Sequence, residues 1–324
     1  MVTGSSGFIG SHLVEFLARQ EDIARVVCVD SEVWGPAFDV STLPGKEKIV
    51  KVNASLLLGS KFVSDLHYRF NVKEVYHLAA MTSVDQSLNS AVACYSANVL
   101  GTLAVLDSAR ERGFKVIHVS TDEVYGSLPR GSDSKFTLDS PFNPSSPYSA
   151  SKAAADDAVR VYAKTWGLHT VTVRPCNAYG PRQDNSKFIP TILRAFETGK
   201  PIHVYGDGKQ VREWLYVKDF VRGIYYLGLA GDSGAAYHLG SGEYVENLQL
   251  IQTIRDAVGH DITPPPVEHV EGRPCHDDRY SLDLTETVAL GFEPVYSFHA
   301  GLKETVDHWK QHFTHERGSY GREV

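Results

Sequence analysis

The segment VTGSSGFIG at residues 2–10 decides the fold, because it joins a short β-branched run to an amphipathic stretch. Gly4 permits a tight turn, Gly7 lets the backbone approach a pyrophosphate, and Gly10 allows a helix to pack closely on a strand. The amide groups at the start of the following helix then face the phosphates. The segment therefore predicts a dinucleotide-binding strand–turn–helix unit, although a plain strand–helix turn has the same glycines.

Asp30 strengthens this interpretation, since it ends the second predicted strand 20 residues after Gly10. A carboxylate at this point accepts hydrogen bonds from the adenosine ribose and repels a phosphate on that ribose. The next two residues, Ser31 and Glu32, provide no cation for such a phosphate. The sequence predicts NAD rather than NADP as the cofactor.

Outward from this segment, short apolar runs alternate with longer amphipathic stretches through residue 175. This alternation predicts an α/β fold, a doubly wound parallel sheet of the Rossmann type. Beyond Cys176 prolines and glycines become frequent, and we expect a smaller mixed C-terminal substrate domain. The predicted domains are 1–175 and 176–324, with an interleaved boundary. Buried parallel strands are predicted at 25–30, 48–52, 74–78, 115–120 and 169–174.

Composition excludes several classes of function. The 324 residues carry a net charge of -7 and no basic stripe, so we expect no nucleic-acid partner. No apolar run has the length of a membrane span, and we expect no membrane partner. The four cysteines are scattered without a CxxC pair, and the histidines lack HExxH spacing. These patterns predict a reduced, cytoplasmic protein without a metal.

A Tyr–Lys pair is the first candidate for chemistry. Tyr148 and Lys152 are four residues apart, so on a helix they share one face. Ser146 is suited to cap that helix, and Pro147 to its first turn. We expect the Lys152 ammonium to lower the pKa of Tyr148, making the tyrosine a base for a substrate hydroxyl. A surface pair with the same spacing is the alternative.

The run STDEVYG at residues 120–126 follows a predicted strand. It places Thr121, Asp122 and Glu123 at the carboxyl end of a central strand, where ligands bind in α/β proteins. Adjacent strand residues point to opposite faces, so both acids reach one substrate only if the chain turns just after Thr121. A solvated loop or a helix cap is the alternative.

Taken in order, TGxxGFIG, HLAA at 77–80, STDEVYG and YxxxK resemble the extended short-chain dehydrogenase/reductase family. The STDEVYG run resembles in particular its dTDP-glucose 4,6-dehydratase branch. The resemblance covers nearly the whole chain. Further matching residues are Asn98 in SANVLGT, Arg174 and Asn177 in RPCNAYGP, the run GDGKQVREWLYV at 206–217, and Arg273, His276, Asp277, Arg279 and Asp283 in GRPCHDDRYSLD.

This resemblance implies a 4,6-dehydration of a sugar. Tyr148, assisted by Lys152 and Thr121, takes the proton of the 4-hydroxyl while hydride passes from C4 to NAD. Glu123 then removes the C5 proton, and Asp122, kept neutral by burial and by its charged neighbour, protonates the departing C6 hydroxyl. The hydride returns to C6, so NAD is regenerated at each turnover and stays tightly bound.

The resemblance also implies the binding residues and a homodimer built from the helices that contain Asn98 and Pro147. The nucleotide-sugar diphosphate is held by Asn177, Arg212, Asn247 and Arg279, and Thr82 offers a hydroxyl. The base pocket contains Lys187, Phe188, His203 and Tyr205. The cofactor contacts are Gly4, Gly7, Phe8, Ile9, Gly10, Asp30, Ala79, Ala80, Asn98, Tyr148 and Lys152.

Three departures from the family pattern leave the nucleotide and sugar open. Ala54 replaces an acid near the adenine, His203 replaces an apolar neighbour of the base, and the stretch at 81–86 lacks the usual Glu and Arg. A 4-epimerase, a 5,6-dehydratase or a decarboxylase on the same scaffold is the alternative. A dinucleotide-binding protein without catalysis is disfavoured, because all four reactive side chains are retained.

Overall fold

The computed structural model describes residues 1–35, 37–259, 262–272 and 277–320, without the side chains of 312–320. Arg273 and His276, two of the motif residues, lie outside the described residues. The strands are β1 Val2–Thr3, β2 Val26–Asp30, β3 Ile49–Asn53, β4 Glu74–His77, β5 Lys115–Val119, β6 Thr170–Pro175, β7 Asn177–Tyr179, β8 Ile202–Tyr205, β9 Val211–Tyr216, β10 Ala236–Leu239, β11 Tyr244–Glu246 and β12 Val267–Val270.

The helices lie between and after these strands, and the one predicted to be capped by Ser146 is capped as expected. They are α1 Phe8–Ala18, α2 Ser60–Phe70, α3 Val84–Asn89, α4 Ala91–Tyr95, α5 Gly101–Arg112, α6 Pro147–Trp166, α7 Phe188–Thr198, α8 Val217–Ala230, α9 Asn247–Val258, α10 Thr285–Ala289 and α11 Phe298–Tyr320. Short 3-10 turns cover Val40–Thr42, Lys46–Lys48, Leu56–Leu58 and Asp122–Tyr125, and a π-helical segment, Ser96–Leu100, joins α4 to α5.

Seven parallel strands form the main sheet in the order β10-β6-β5-β4-β1-β2-β3. The predicted doubly wound fold and its five strands are confirmed. In β2, Val26 and Cys28 belong to one apolar core, whereas Val27 and Val29 belong to another. Successive strand residues point to opposite faces, so an apolar strand covered on both sides reads as a continuous run. Helices α1 and α8 pack together, as do α2 and α5.

The strand order changes direction between β1 and β4, and the loops that follow these two strands separate there. Open α/β sheets bind their ligands at such a switch point, outside the carboxyl ends of the strands. Gly4 follows β1 and Leu78 follows β4, so both loops reach this place. The topology thus sets the position of the site before any side chain is considered.

The later part of the chain adds two small sheets, β11-β9-β7 and β12-β8. Strand β11 runs antiparallel to β9, whereas β7 is parallel to β9. Between β9 and β11 the chain returns to the main sheet, where β10 pairs with β6 and forms one edge. The main sheet therefore contains residues from well beyond 175.

One continuous helix, Ala91–Arg112, is long and apolar enough to cross a membrane by length and composition. Of its apolar window, 44% is buried inside the protein, and buried core helices of soluble proteins meet the same criterion. Among the described ranges, no three His, Cys, Asp or Glu side chains converge as a metal site requires.

Candidate active site

A cleft of about 450 Å³ opens at the switch point of the main sheet. One end is lined by the glycine-rich loop and Asp30, and the middle by Thr121, Tyr148 and Lys152. The other end reaches Asn177, beyond β6. The predicted catalytic residues and most of the predicted cofactor residues therefore line one continuous cavity.

The glycine-rich loop brings three backbone segments into close contact. Gly4 has φ +68°, and a Cβ there would lie 2.8 Å from the amide nitrogen of Ala79. A Cβ on Gly10 would lie 1.9 Å from the carbonyl oxygen of Gly4. No described side chain caps helix α1, whose N-cap is Gly7. Its first amide groups face the cleft, and this arrangement fits a pyrophosphate.

Asp30 is fixed at the edge of this cleft by two backbone amides. Its Oδ2 accepts a hydrogen bond from Ser6 N at 2.9 Å, and its Oδ1 accepts one from Glu32 N at 2.8 Å. Each carboxylate oxygen accepts more than one hydrogen bond, so both can still receive ribose hydroxyls. The position and orientation of Asp30 agree with the predicted ribose contact.

The chain turns just after Thr121, as it must if Asp122 and Glu123 are to reach one substrate. Strand β5 ends at Val119, and Thr121 caps the 3-10 turn Asp122–Tyr125 by accepting a hydrogen bond from Glu123 N at 3.3 Å. Gly126 ends the turn with φ +78°, and a Cβ there would lie 2.3 Å from Asn143 O. Because of this turn, both Asp122 and Glu123 line the cleft, as predicted.

The surroundings of Asp122 favour the neutral form of its carboxyl group. Its side chain is 2% exposed, and its Oδ2 has no hydrogen-bond partner among the described residues. Burial raises the pKa of Asp122 well above its usual value, and the charges of Glu123 and Glu213 raise it further. This shift favours the protonated form of the carboxyl group, which a proton donor needs.

Tyr148 and Lys152 lie in the cleft on helix α6, behind a capping box made by Ser146 and Ser149. The pKa of Tyr148 is raised and not lowered as expected. Burial raises the pKa of Tyr148, Glu123 raises it further, and a hydrogen bond with Thr121 only partly offsets this. The Lys152 ammonium instead donates to Val119 O at 2.7 Å. Burial lowers the pKa of Lys152 itself to about 8.

Arg174 belongs to a buried ionic group behind the cleft. Its guanidinium donates to Asp156 Oδ2 at 2.8 Å and to the Tyr125 hydroxyl at 2.7 Å. His118 Nε2 lies 3.1 Å from Asp156 Oδ1. Burial alone would raise the pKa of Asp156, but His118 and Arg174 lower it to about 2. Asp156 is one helical turn beyond Lys152, so its negative charge favours the lysine cation.

Asn98 does not line the cleft, contrary to its prediction as a cofactor contact. Its Oδ1 accepts from Met81 N at 2.7 Å, and its Nδ2 donates to Ser151 Oγ at 2.8 Å. The residue lies in the π-helical segment and is 1% exposed. Asn98 therefore ties the loop after β4 to helix α6, and its polar atoms are used by protein partners.

Three predicted substrate residues lie in the cleft: Thr82, Asn177 and Lys187. Lys187 Nζ donates to Thr82 O at 3.2 Å. Asn177 Oδ1 is buried without a hydrogen-bond partner among the described residues, and a buried amide oxygen of this kind is suited to a ligand donor. Phe188 begins helix α7 and packs against the larger core instead.

Five further predicted substrate residues lie outside the cleft, in the later part of the chain. Arg212 of β9 donates to the carbonyl oxygens of Asp277 and Asp278, at 2.7 and 3.2 Å. Arg279 donates to Ser134 O at 2.7 Å. The structure brings Arg212 near the acid pair, since it lowers the pKa of Asp122. The remaining three are Asn247, which contacts Gln210, and the exposed His203 and Tyr205 of β8.

Sequence patterns did not reveal two other polar residues. Ser120 lines the cleft, and its Oγ is buried without a described partner. Glu213 is fully buried, and its Oε1 accepts from Ser241 N and Gly242 N, both at 2.7 Å. Ser120 is adjacent to the acid pair and could have been found by its position in STDEVYG. No sequence motif indicated Glu213, because the two loop amides that donate to it are 28 and 29 residues away along the chain.

The fold and the cleft define a dinucleotide-binding α/β protein with an acid pair and a Tyr–Lys pair. The chain belongs to the NAD dependent epimerase/dehydratase family, whose model matches residues 1–240. It is 39% identical to the low-salt glycan biosynthesis protein Agl12 of Haloferax volcanii, covering 95% of this chain and 97% of that protein. It is 36% identical to a dTDP-glucose 4,6-dehydratase of Xanthomonas campestris pv. campestris, covering 95% and 92%.

A solved structure agrees with these relatives. The dTDP-glucose 4,6-dehydratase of Streptomyces venezuelae, crystallised with NAD, superposes with a TM-score of 0.88 at 35% identity. The match covers 96% of each chain. The likeness therefore includes the second, smaller part of the protein as well as the nucleotide-binding sheet.

Proposed function

We propose that this protein is an NAD-dependent nucleotide-sugar 4,6-dehydratase, a lyase that converts an NDP-hexose to its 4-keto-6-deoxy derivative. The substrate is dTDP-glucose or a closely similar nucleotide sugar. One observation carries the proposal: a buried Asp122, whose pKa is raised well above its usual value, lies beside Glu123 in the cleft that also contains Tyr148 and the glycine-rich loop. An acid and a base side by side are what elimination of water requires.

The first step is oxidation at C4 of the sugar. NAD, when bound, accepts hydride from C4 and later returns it to C6, so it is regenerated at each turnover. Tyr148 accepts the proton of the 4-hydroxyl, and Thr121 is hydrogen-bonded to it. Lys152 supplies a buried positive charge whose formation is favoured by Asp156. In this proposal that positive charge favours the phenolate form that Tyr148 needs in order to act as a base.

The second step is elimination across C5 and C6. The new ketone acidifies C5, and Glu123 removes the C5 proton. Asp122 gives its proton to the departing C6 hydroxyl, and water leaves. The two carboxyl groups need opposite protonation states, and the burial of Asp122 provides the neutral one. An epimerase has no leaving group to protonate and no need for this acid.

The substrate extends from the cleft toward the smaller sheets. Thr82, Asn177 and Lys187 line the cleft and are suited to the sugar and diphosphate. Arg212, Asn247 and Arg279 extend the diphosphate site, where arginine offers two donors to a phosphate. In this proposal the nucleobase of the substrate lies beyond the diphosphate site, near the last three predicted residues, Phe188, His203 and Tyr205.

Mass spectrometry of products from a panel of nucleotide sugars tests the proposal. The protein should release a product lighter than its substrate by one water from dTDP-glucose or from its UDP, GDP or CDP counterparts. An unchanged mass with inverted C4 would instead identify a 4-epimerase, and loss of carbon dioxide a decarboxylase. Loss of the same water with the C5–C6 double bond retained and no C4 ketone, distinguished by NMR of the product, would identify a 5,6-dehydratase.

The proposal includes a cytoplasmic homodimer. Val92 and Leu100, in the continuous helix Ala91–Arg112, are 82% and 54% exposed, and Val161 and Trp166 of α6 are also exposed. Exposed apolar side chains on adjacent helices support an interface between subunits. The free, buried Cys28, Cys94 and Cys176 are consistent with a reducing compartment. Light scattering after gel filtration measures the mass, and a monomer at all concentrations would contradict the dimer.

A further inference from the structure

A cation lies close to the ribose end of the cleft, although the residues that follow Asp30 in the sequence provide none. Strand β3 runs parallel to β2 and places Lys51 beside Cys28. Lys51 Nζ lies 2.9 Å from Glu32 Oε1 and 3.6 Å from Asp39 Oδ1. The residues after Asp30 supply no cation, but the folded chain brings one from β3.

Glu32 is held in a defined position between this cation and the cleft. Its φ is +55°, a left-handed conformation that few non-glycine residues adopt without support. Its amide donates to Asp30 Oδ1, its Oε1 accepts from Ser6 Oγ at 3.1 Å, and its Oε2 accepts from Asn53 Nδ2 at 3.2 Å. With the Lys51 contact, these bonds fix both the backbone and the carboxylate.

The contacts form a chain from the ribose site to the lysine. Ser6 donates its amide to Asp30 and its hydroxyl to Glu32, and Glu32 receives Lys51. Ser6, Asp30 and Glu32 line the cleft, whereas Lys51 does not. The Glu32 carboxylate therefore stands between the ammonium and the place where ribose hydroxyls meet Asp30.

We propose that Glu32 sequesters Lys51 and thereby makes the ribose end of the cleft select NAD over NADP. A phosphate on the ribose would meet the carboxylates of Asp30 and Glu32, while the Lys51 ammonium is engaged by Glu32. Loss of the Glu32 charge removes one repulsion and leaves Lys51 with only the more distant Asp39 of these two partners, so that Lys51 can pair with that phosphate. The assignment of Glu32 deepens the proposed NAD-dependent function and rests on it.

A competition experiment on the full-length protein tests this role without turnover. Wild type, Glu32→Gln, Lys51→Met and the double variant are equilibrated with equal concentrations of NAD and NADP. The protein is then separated from free nucleotide and denatured, and the released dinucleotides are quantified by chromatography. Glu47→Gln, a neighbouring change of the same kind outside the cleft, is the matched control, and thermal unfolding checks that each variant is folded.

We expect Glu32→Gln to raise the bound NADP:NAD ratio about tenfold, since two partly exposed charge interactions change together. In the Lys51→Met background the same change should raise the ratio much less, because the freed cation is absent. Glu47→Gln should match wild type. If Glu32→Gln does not fold, Glu32→Asn replaces it, because asparagine tolerates the left-handed conformation.

Two results would overturn the role of Glu32. One is a ratio for folded Glu32→Gln within twofold of wild type. The other is an equal rise in the double variant, which would show that Lys51 takes no part. Both leave normal NAD binding by wild type in place. A wild-type protein that retains neither dinucleotide would instead contradict the NAD-dependent function itself, so the two failures are distinguishable.

Discussion

Replacing Asp122 by Asn tests the dehydratase proposal most directly. Asparagine has nearly the same shape, and burial and the charge of Glu123 raise the pKa of Asp122, which favours its neutral form. The substitution therefore changes little in size or charge and removes only the proton that the leaving hydroxyl needs. Substrate binding and oxidation at C4 should persist, while elimination slows.

The size of the effect follows from general acid catalysis, which contributes about 10²–10⁴-fold. At about 1.4 kcal/mol for each tenfold change, the barrier to elimination should rise by about 3–5 kcal/mol. Since hydride has been transferred and cannot return to C6, NADH should accumulate on the enzyme. Stopped-flow absorbance after mixing with substrate measures both the formation of NADH and its decay.

Asp157→Asn is the matched control, because Asp157 is an exposed carboxylate on helix α6 that pairs with the neighbouring Arg160. It should turn over like wild type. Normal turnover by Asp122→Asn, with no persistent NADH, would refute the assignment of Asp122 as the acid. The dehydratase proposal would then be withdrawn, and the family assignment would stand.

Four further outcomes are expected. Glu123→Gln should block exchange of the C5 proton with solvent deuterium, measured by mass spectrometry, while exchange at the wild-type rate would exclude Glu123 as the base. Tyr148→Phe should slow single-turnover NADH formation about 10²–10⁴-fold without unfolding the protein, and a near-normal rate would exclude the tyrosine. The rate of oxidation at C4 should decline as pH rises through about 8, where Lys152, with its lowered pKa, loses its proton. Lys152→Arg should move that decline to higher pH. A decline at the same pH in this variant would show that another group causes it. Arg174→Met should lower the free energy of unfolding by about 3–5 kcal/mol in denaturant titrations, because it leaves the buried Asp156 carboxylate without its guanidinium, and a loss below about 1 kcal/mol would contradict that pairing.

The sequence alone predicted the main sheet, because its information is local and periodic. Continuous apolar runs indicate strands covered on both faces, and residues 2–10 require glycine wherever backbone segments meet. The structure confirms both, with a Cβ on Gly10 only 1.9 Å from Gly4 O. The acid pair and the Tyr–Lys pair were equally visible, since each lies within one short motif.

The environment of a motif residue was predicted less well than its identity. Asn98 was assigned to the cofactor from a matching motif, yet its amide joins Met81 to Ser151 and does not line the cleft. The pKa of Tyr148 was expected to fall because Lys152 is four residues away. Spacing on a helix gives proximity, but burial and the charge of Glu123 raise the pKa.

By itself, the sequence determined the doubly wound fold, the dinucleotide loop and the identity of the reactive side chains. Only the tertiary structure decided their protonation and their neighbours. The pKa of Asp122 is raised because the fold buries it beside Glu123 and Glu213. Lys51 meets Glu32 because parallel pairing sets β3 beside β2. Electrostatic free energy depends on distance and burial in three dimensions, and neither quantity is encoded in the spacing of residues along a chain.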